Sequence, residues 1–218
     1  MRKVTVLVTT AASVLALALP AVAQARDPIL FVHGWNSSAS TWNTMVGRFA
    51  ADGWTSAELN TWSYNTAQSN ATTASQLASR VNSVLAATGA ARLDLVSHSM
   101  GGLSTRYYVK NLGGGPKVDE FVSLAGPNHG TGTANLCFWN TSCFEMRPGS
   151  SFLNALNSGD ETPSTPRYGT WWSPCDEVIN PDTSTILSGA ANTQTPCLSH
   201  SGVKDSASVY AQVREFVR

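Results

Sequence analysis

Ser99 ends an apolar run, Leu93-Asp94-Leu95-Val96, within the stretch Ser97-His98-Ser99-Met100-Gly101-Gly102. A strand that runs into a serine with small residues two positions away on each side has the pattern of a nucleophile elbow. In that turn positions n−2 and n+2 nearly touch, and the serine hydroxyl projects above the sheet edge. Gly101 supplies glycine at n+2, whereas Ser97 takes n−2 with a slightly larger residue, so the motif is present in a looser form. A buried serine in an ordinary turn is the competing reading of this stretch alone.

A serine hydroxyl becomes a nucleophile at neutral pH only if an imidazole takes its proton and a carboxylate fixes that imidazole's tautomer. The chain has four histidines. His33 lies on the first loop beside Gly34, His98 is locked in the elbow, and His129 follows the strand ending at Leu124. His200, after the last strand and before the last helix, is the expected base, because triads built on such an elbow run serine, acid, histidine along the chain. Of the acids between Ser99 and His200, Asp176 is preferred, since a short turn after Trp171-Trp172 would deliver it to the carboxyl edge of the sheet. Glu177 and then Asp182 are its competitors, and Asp94, inside the strand before the serine, reads as structural. A developing oxyanion needs two preorganised amide donors. Met100, directly after the nucleophile, and Trp35, after His33-Gly34, are placed to supply them, with Gly34 allowing close approach.

Four cysteines, Cys137, Cys143, Cys175 and Cys197, allow three pairings. The expected one joins Cys137 to Cys143 and Cys175 to Cys197, the second tying the acid's loop to the histidine's. A zinc site is the alternative, but the Cys-x-x-Cys spacing that would support it is missing.

The elements that must position these groups alternate between two periodicities. Pro28 to Val32, Leu93 to Val96 and Val118 to Leu124 read as strands buried on both faces, Trp54 to Tyr64 as a weaker strand, and Arg167 to Trp172 as another. Helices are expected from about Ser40 to the Gly53 stop, from Ala71 to Gly89, from Met100 to Asn111, briefly over Ser150 to Asn157, and at the C-terminus with Asp205 as N-cap. Strands alternating with amphipathic helices predict an α/β fold with a mostly parallel central sheet, helices on both faces and binding at the carboxyl ends of the strands. Residues 125–166 and 173–196 are left as long connections, a length at which loops tend to be functional or to hold elements of their own.

Composition narrows the function classes. Arg2, Lys3, an apolar run from Val4 to Leu19 and Ala21-Val22-Ala23 predict a signal peptide over residues 1–23, leaving one domain over 24–218. The 14 basic and 14 acidic residues balance, and loss of Arg2 and Lys3 would leave a net charge of −2, which argues against nucleic acid as a partner. Beyond the leader, apolar runs stay below the roughly 18 residues of a membrane span.

Taken together, His33-Gly34-Trp35, the Ser97 to Gly102 elbow, Ala125-Gly126-Pro127-Asn128-His129-Gly130-Thr131, Asp176 and His200 resemble the class 2 triacylglycerol lipases, the small secreted enzymes of actinomycetes in particular. The resemblance implies a minimal α/β-hydrolase fold and a secreted serine hydrolase of carboxylic esters; a monomer is expected because no apolar heptad suggests self-association. It matches Ser99, Asp176 and His200 to the catalytic residues and Trp35 and Met100 to the oxyanion donors. It also implies no cofactor or metal, and only transient contact with a lipid interface. Small bacillar members carry alanine where this chain has Ser97. Trp35, Trp42, Trp139, Trp171 and Trp172 could line an acyl groove, Trp35 and Trp139 best because they fall on loops. So short a chain leaves no room for a large lid, so similar activity is expected on monomeric and emulsified ester. The alternatives are an esterase or acyltransferase for short or polymeric esters, and a non-catalytic binding protein on the same fold.

Overall fold

Short, wholly apolar runs make the middle of the sheet, because a strand covered on both faces has no polar side to alternate with. In the computed structural model, which describes Met1, Lys3 and residues 26–218, these runs are β1 (Ile29–Val32), β3 (Leu93–His98) and β4 (Val118–Leu124). With β2 (Leu59–Trp62), β5 (Arg167–Trp172) and β6 (Ala191–Gln194) they form one sheet of order β2-β1-β3-β4-β5-β6. Every adjacent pair is parallel, so the expected sheet is parallel throughout its six described strands. The leader expected over residues 1–23 lies, apart from Met1 and Lys3, outside the described residues.

The two-residue period of each strand divides its side chains between two layers. Ile29 and Phe31 pack with Met45 and Phe49 of α1 (Asn43–Ala51) and with Val209 and Val213 of α7 (Ala207–Phe216). Leu30 and Val32 pack with Leu77 and Val81 of α2 (Asn70–Thr88) and with Val109 of α3 (Gly101–Asn111). Each such buried aliphatic side chain contributes about 1.5–3 kcal/mol. The ends of α2 show why it stops where it does: the Ser69 side chain accepts the Ala71 amide, and Gly89 turns left-handed at φ +72°, a conformation costly to a residue with a Cβ.

Several elements differ from the sequence-based expectation. Only Leu59–Trp62 of the stretch from Trp54 to Tyr64 is strand. The long connection after Ser173 holds β6, whose Ala-Asn-Thr-Gln has no apolar alternation because it is a mostly exposed edge strand. At the C-terminus, the N-cap of α7 is Ser206 rather than Asp205, whose carboxylate is drawn to Lys204 Nζ at 2.8 Å, and a separate short helix, α6 (His200–Asp205), precedes it. The connection after Ala125 holds an unexpected short helix, α4 (Thr141–Glu145), besides the expected one, α5 (Ser151–Asn157).

Because all strands point the same way, the sheet has two unlike edges. Asp27, Arg92, Asp94, Asp119, Glu120 and Arg167 gather at the amino ends of the strands, with Arg92 paired to Asp119 and Arg167 to Glu120. Asp94 accepts the Glu120 amide there, and burial, with Glu120 and Asp27 nearby, lifts its carboxyl well above the usual range. Among the described residues no helix is long and apolar enough to cross a membrane.

Candidate active site

Ser99 sits between β3 and α3 at φ +55°, in the left-handed region that a residue with a Cβ rarely adopts. The surrounding backbone holds it there, with its amide donating to Leu124 O at 2.9 Å and its carbonyl accepting the Gly102 amide at 3.0 Å. A Cβ on Gly101 would lie 2.5 Å from His33 O and 2.6 Å from Val32 O, so n+2 must be glycine. Position n−2 is less restricted: Ser97 is fully buried, yet its hydroxyl finds an acceptor in Val122 O at 2.8 Å. Gly34 is required for a third reason. A Cβ there would come within 2.7 Å of the Ser99 Cβ and 3.2 Å of its Oγ, so the loop after β1 is pressed against the serine itself.

The three acid candidates have separate tasks. Asp176 meets the His200 ring, with Nδ1 at 2.9 Å from Oδ2 and 3.0 Å from Oδ1, while Oδ1 also accepts the amides of Val178 and Ile179 at 2.9 Å each. These amides fix the carboxylate before the imidazole reaches it. Glu177 accepts the backbone amide of His200 at 2.9 Å, and Asp182 accepts the amide of its neighbour Thr183. The loops carrying Asp176 and His200 are joined by the Cys175–Cys197 disulfide and by Ser173, whose hydroxyl donates to Leu198 O at 2.6 Å and accepts the Leu198 amide.

The other histidines are engaged elsewhere. The His33 ring donates from Nδ1 to Gly34 O at 2.8 Å and stacks on Tyr64 with centroids 4.3 Å apart, and burial lowers its pKa, so it braces the Gly34 loop as a neutral ring. His129 reaches Glu161 at 2.7 Å and ties two loops together. His98 contacts His200 directly: its Nε2 donates to His200 O at 3.1 Å and the two rings lie 4.6 Å apart. Burial first, then the neighbouring His200, pushes its pKa well below that of a free imidazole, which keeps it a neutral donor. No local pattern announces this contact between residues 102 positions apart.

The Met100 amide lies at the N-cap of α3, whose dipole favours negative charge, and the Trp35 amide follows Gly34 on the facing loop. Neither amide is taken up by an acceptor among the described residues. Ser99 and His200 open together on two hollows of opposite character. One, of about 300 Å³, is walled by Trp35, Ala134, Met146, Val178, Ile179 and the Cys137–Cys143 disulfide. The other, of about 220 Å³, is lined by polar groups including Asn36, Ser37, Thr41 and Ser201. Of the tryptophans considered for an acyl groove, Trp35 lines the apolar cavity, Trp42 and Trp171 are buried in the core, and Trp139 lies 70 % exposed because the disulfide turns its sulfurs inward and Trp139 outward. Met146, Val178 and Ile179 escaped sequence reasoning because they reach the cavity from irregular loops. The one grouping of three metal-capable side chains among the described residues, Asp27, Asp94 and Asp119, lies at the opposite edge of the sheet from Ser99.

The profile of a family described as lipase (class 2) matches residues 26–215. Among solved structures, the mature form of Bacillus licheniformis lipase BlEst2 is similar over 90 % of this chain and 94 % of that one, with a TM-score of 0.77 at 18 % identity. Aspergillus fumigatus lipase B matches 86 % of this chain and 51 % of its own, with a TM-score of 0.72 at 20 % identity. Phospholipase PlaB from Legionella pneumophila matches 88 % of this chain and 60 % of its own, with a TM-score of 0.73 at 16 % identity. At these identities the structural likeness concerns the fold, which is that of the α/β-hydrolases.

Proposed function

The chain belongs to the class 2 lipase family, and from that premise we propose that it is a secreted serine hydrolase of carboxylic esters, with acylglycerols as the substrate class. The Ser99 oxygen attacks the ester carbonyl carbon while His200 Nε2 accepts its proton. Asp176 holds the opposite ring nitrogen and stabilises the imidazolium. The tetrahedral oxyanion sits between the amides of Trp35 and Met100, each worth roughly 3–4 kcal/mol in the transition state. Its collapse breaks the bond to the alcohol, which leaves with the proton from His200. Water, deprotonated by the same imidazole, then attacks the acyl-enzyme, releasing the carboxylic acid and restoring Ser99. The apolar cavity suits the acyl chain and the polar hollow the departing alcohol. Two disulfides fit an oxidising, exported setting.

The observation that carries this reading is the Asp176–His200 contact opening on the cavity that also holds Ser99. Replacing Ser99 by alanine is expected to lower turnover of p-nitrophenyl esters by at least about 10⁴-fold and to abolish labelling by a fluorophosphonate. A folded Ser99→Ala protein with unchanged turnover would overturn the reading.

A further inference from the structure

Apart from Met1 and Leu112, the large apolar side chains left exposed among the described residues are Leu136, Phe138, Trp139 and Phe144, all within nine positions. The loop that carries them is firmly held. Arg147 donates to Ala134 O and Cys137 O, Ser142 to Thr66 O, and the Glu145 carboxylate accepts from Ser69, the Asn70 amide and the Asn70 side chain. The Cys137–Cys143 disulfide closes it. One side of the loop, with Ala134, Cys137, Cys143 and Met146, walls the cavity beside Ser99, while the other turns Phe138 and Trp139 to solvent at 67 % and 70 % exposure. A rigid segment that presents aromatic side chains to water gains nothing from their exposure in the free protein.

We propose that this loop is the surface by which the protein docks on a lipid interface, with Leu136, Phe138, Trp139 and Phe144 entering the boundary between headgroups and acyl chains. The proposal rests on the ester-hydrolase reading of the adjacent site, and it explains how an insoluble substrate reaches the cavity. Charge favours this occupant. The acid nearest the patch, Glu145, is turned inward, and the one cation, Arg147, lies against the faces of Phe144 and Phe138 at 4.4 and 5.8 Å. A nearly neutral, aromatic tip suits an uncharged or zwitterionic surface. A second copy of the chain fits less well. Four side chains offer on the order of 500 Å², short of the roughly 800 Å² per partner of a stable protein interface, and pairing there would cover the mouth of the cavity.

The test is co-sedimentation of the full, oxidised chain with vesicles of dialkyl (ether-linked) phosphatidylcholine, which have no ester bond and so separate docking from hydrolysis. The wild type is expected to partition onto them, with little change in about 0.5 M salt. The double variant Phe138→Ser/Trp139→Ser should partition at least about tenfold less, while keeping its melting temperature and its kcat/KM on soluble p-nitrophenyl acetate. Ser99→Ala should bind as the wild type does, so the docking surface and the catalytic reading can fail separately. Equal partitioning by wild type and double variant, no partitioning by either, binding lost in salt, or a wild-type dimer that the double variant dissolves would each overturn the proposal.

Discussion

Adding one methyl group at Gly34 should disable catalysis without unfolding the protein. The new Cβ would stand 2.7 Å from the Ser99 Cβ, about 0.7 Å inside ordinary contact, and 3.2 Å from both Ser99 Oγ and His98 O. Ser99 cannot retreat, since its amide is bound to Leu124 O and Gly101 is already pressed against the carbonyls of Val32 and His33. The loop carrying Trp35 must therefore give way. A shift of that size stretches a hydrogen bond of about 2.9 Å to a length at which it no longer counts as one, so on the proposed mechanism the oxyanion would lose one of its two donors. Loss of one such donor costs about 10² to 10³ in kcat, or roughly 3–4 kcal/mol. KM should change less, because the ground-state ester does not yet carry the charge. The assay is kcat and KM on p-nitrophenyl butyrate beside a melting curve, with Gly47→Ala as control. Gly47 lies within α1, and a Cβ there would meet nothing within 4 Å, so alanine should add about 0.5–1 kcal/mol of stability and leave kcat alone. Full-rate turnover by a folded Gly34→Ala protein would refute the role given to the Trp35 amide.

Two further outcomes follow from the rim of the sheet. Replacing Cys175 and Cys197 by serine releases a loop with ends 22 positions apart and should cost about 3 kcal/mol in chemical denaturation; kcat should fall as well, because the loops of Asp176 and His200 are then joined only by hydrogen bonds, and undiminished kcat would count against the clip's part in alignment. His98→Phe removes the donor to the His200 carbonyl and should lower kcat about tenfold with KM little changed. It should also flatten the loss of stability in acid. The native state refuses the proton that the unfolded chain accepts below about pH 6.5, so His98 makes stability decrease as the pH drops, by up to about 1.4 kcal/mol per unit. The His200 ring and Lys204 add to that refusal, and the hydrogen bond to the His200 carbonyl opposes it. Denaturation curves at falling pH that run parallel for wild type and variant would refute the assignment.

Much of the scaffold could be read from residue order, because the central strands are continuous apolar runs and the helices between them keep their period. Ile29–Val32, Asn70–Thr88 and Gly101–Asn111 fall within a residue or two of expectation. What escaped was short and polar. Ala191–Gln194 pairs as an edge strand through backbone groups that any side chain can carry, and His200–Asp205 is a helix too brief for a period to register. At the site, residue order preferred Asp176 and left Glu177 and Asp182 as competitors; the turn aims Asp176 at the imidazole ring and Glu177 at the backbone amide of His200. Trp139 looked like a groove residue because it fell on a loop; which side of a loop faces inward depends on a covalent bridge that residue order leaves open.

What the two ends of the strands expose differs, and that difference gives the molecule a head and a tail. Asp27, Arg92, Asp119, Glu120 and Arg167 crowd one pole, while the other carries the four bare apolar side chains beside Ser99. On the docking proposed above, such a body would right itself at an oil–water boundary, ionic pole to the aqueous phase, so that an adsorbed molecule would arrive with Ser99 turned to the ester and with no moving part needed to aim it.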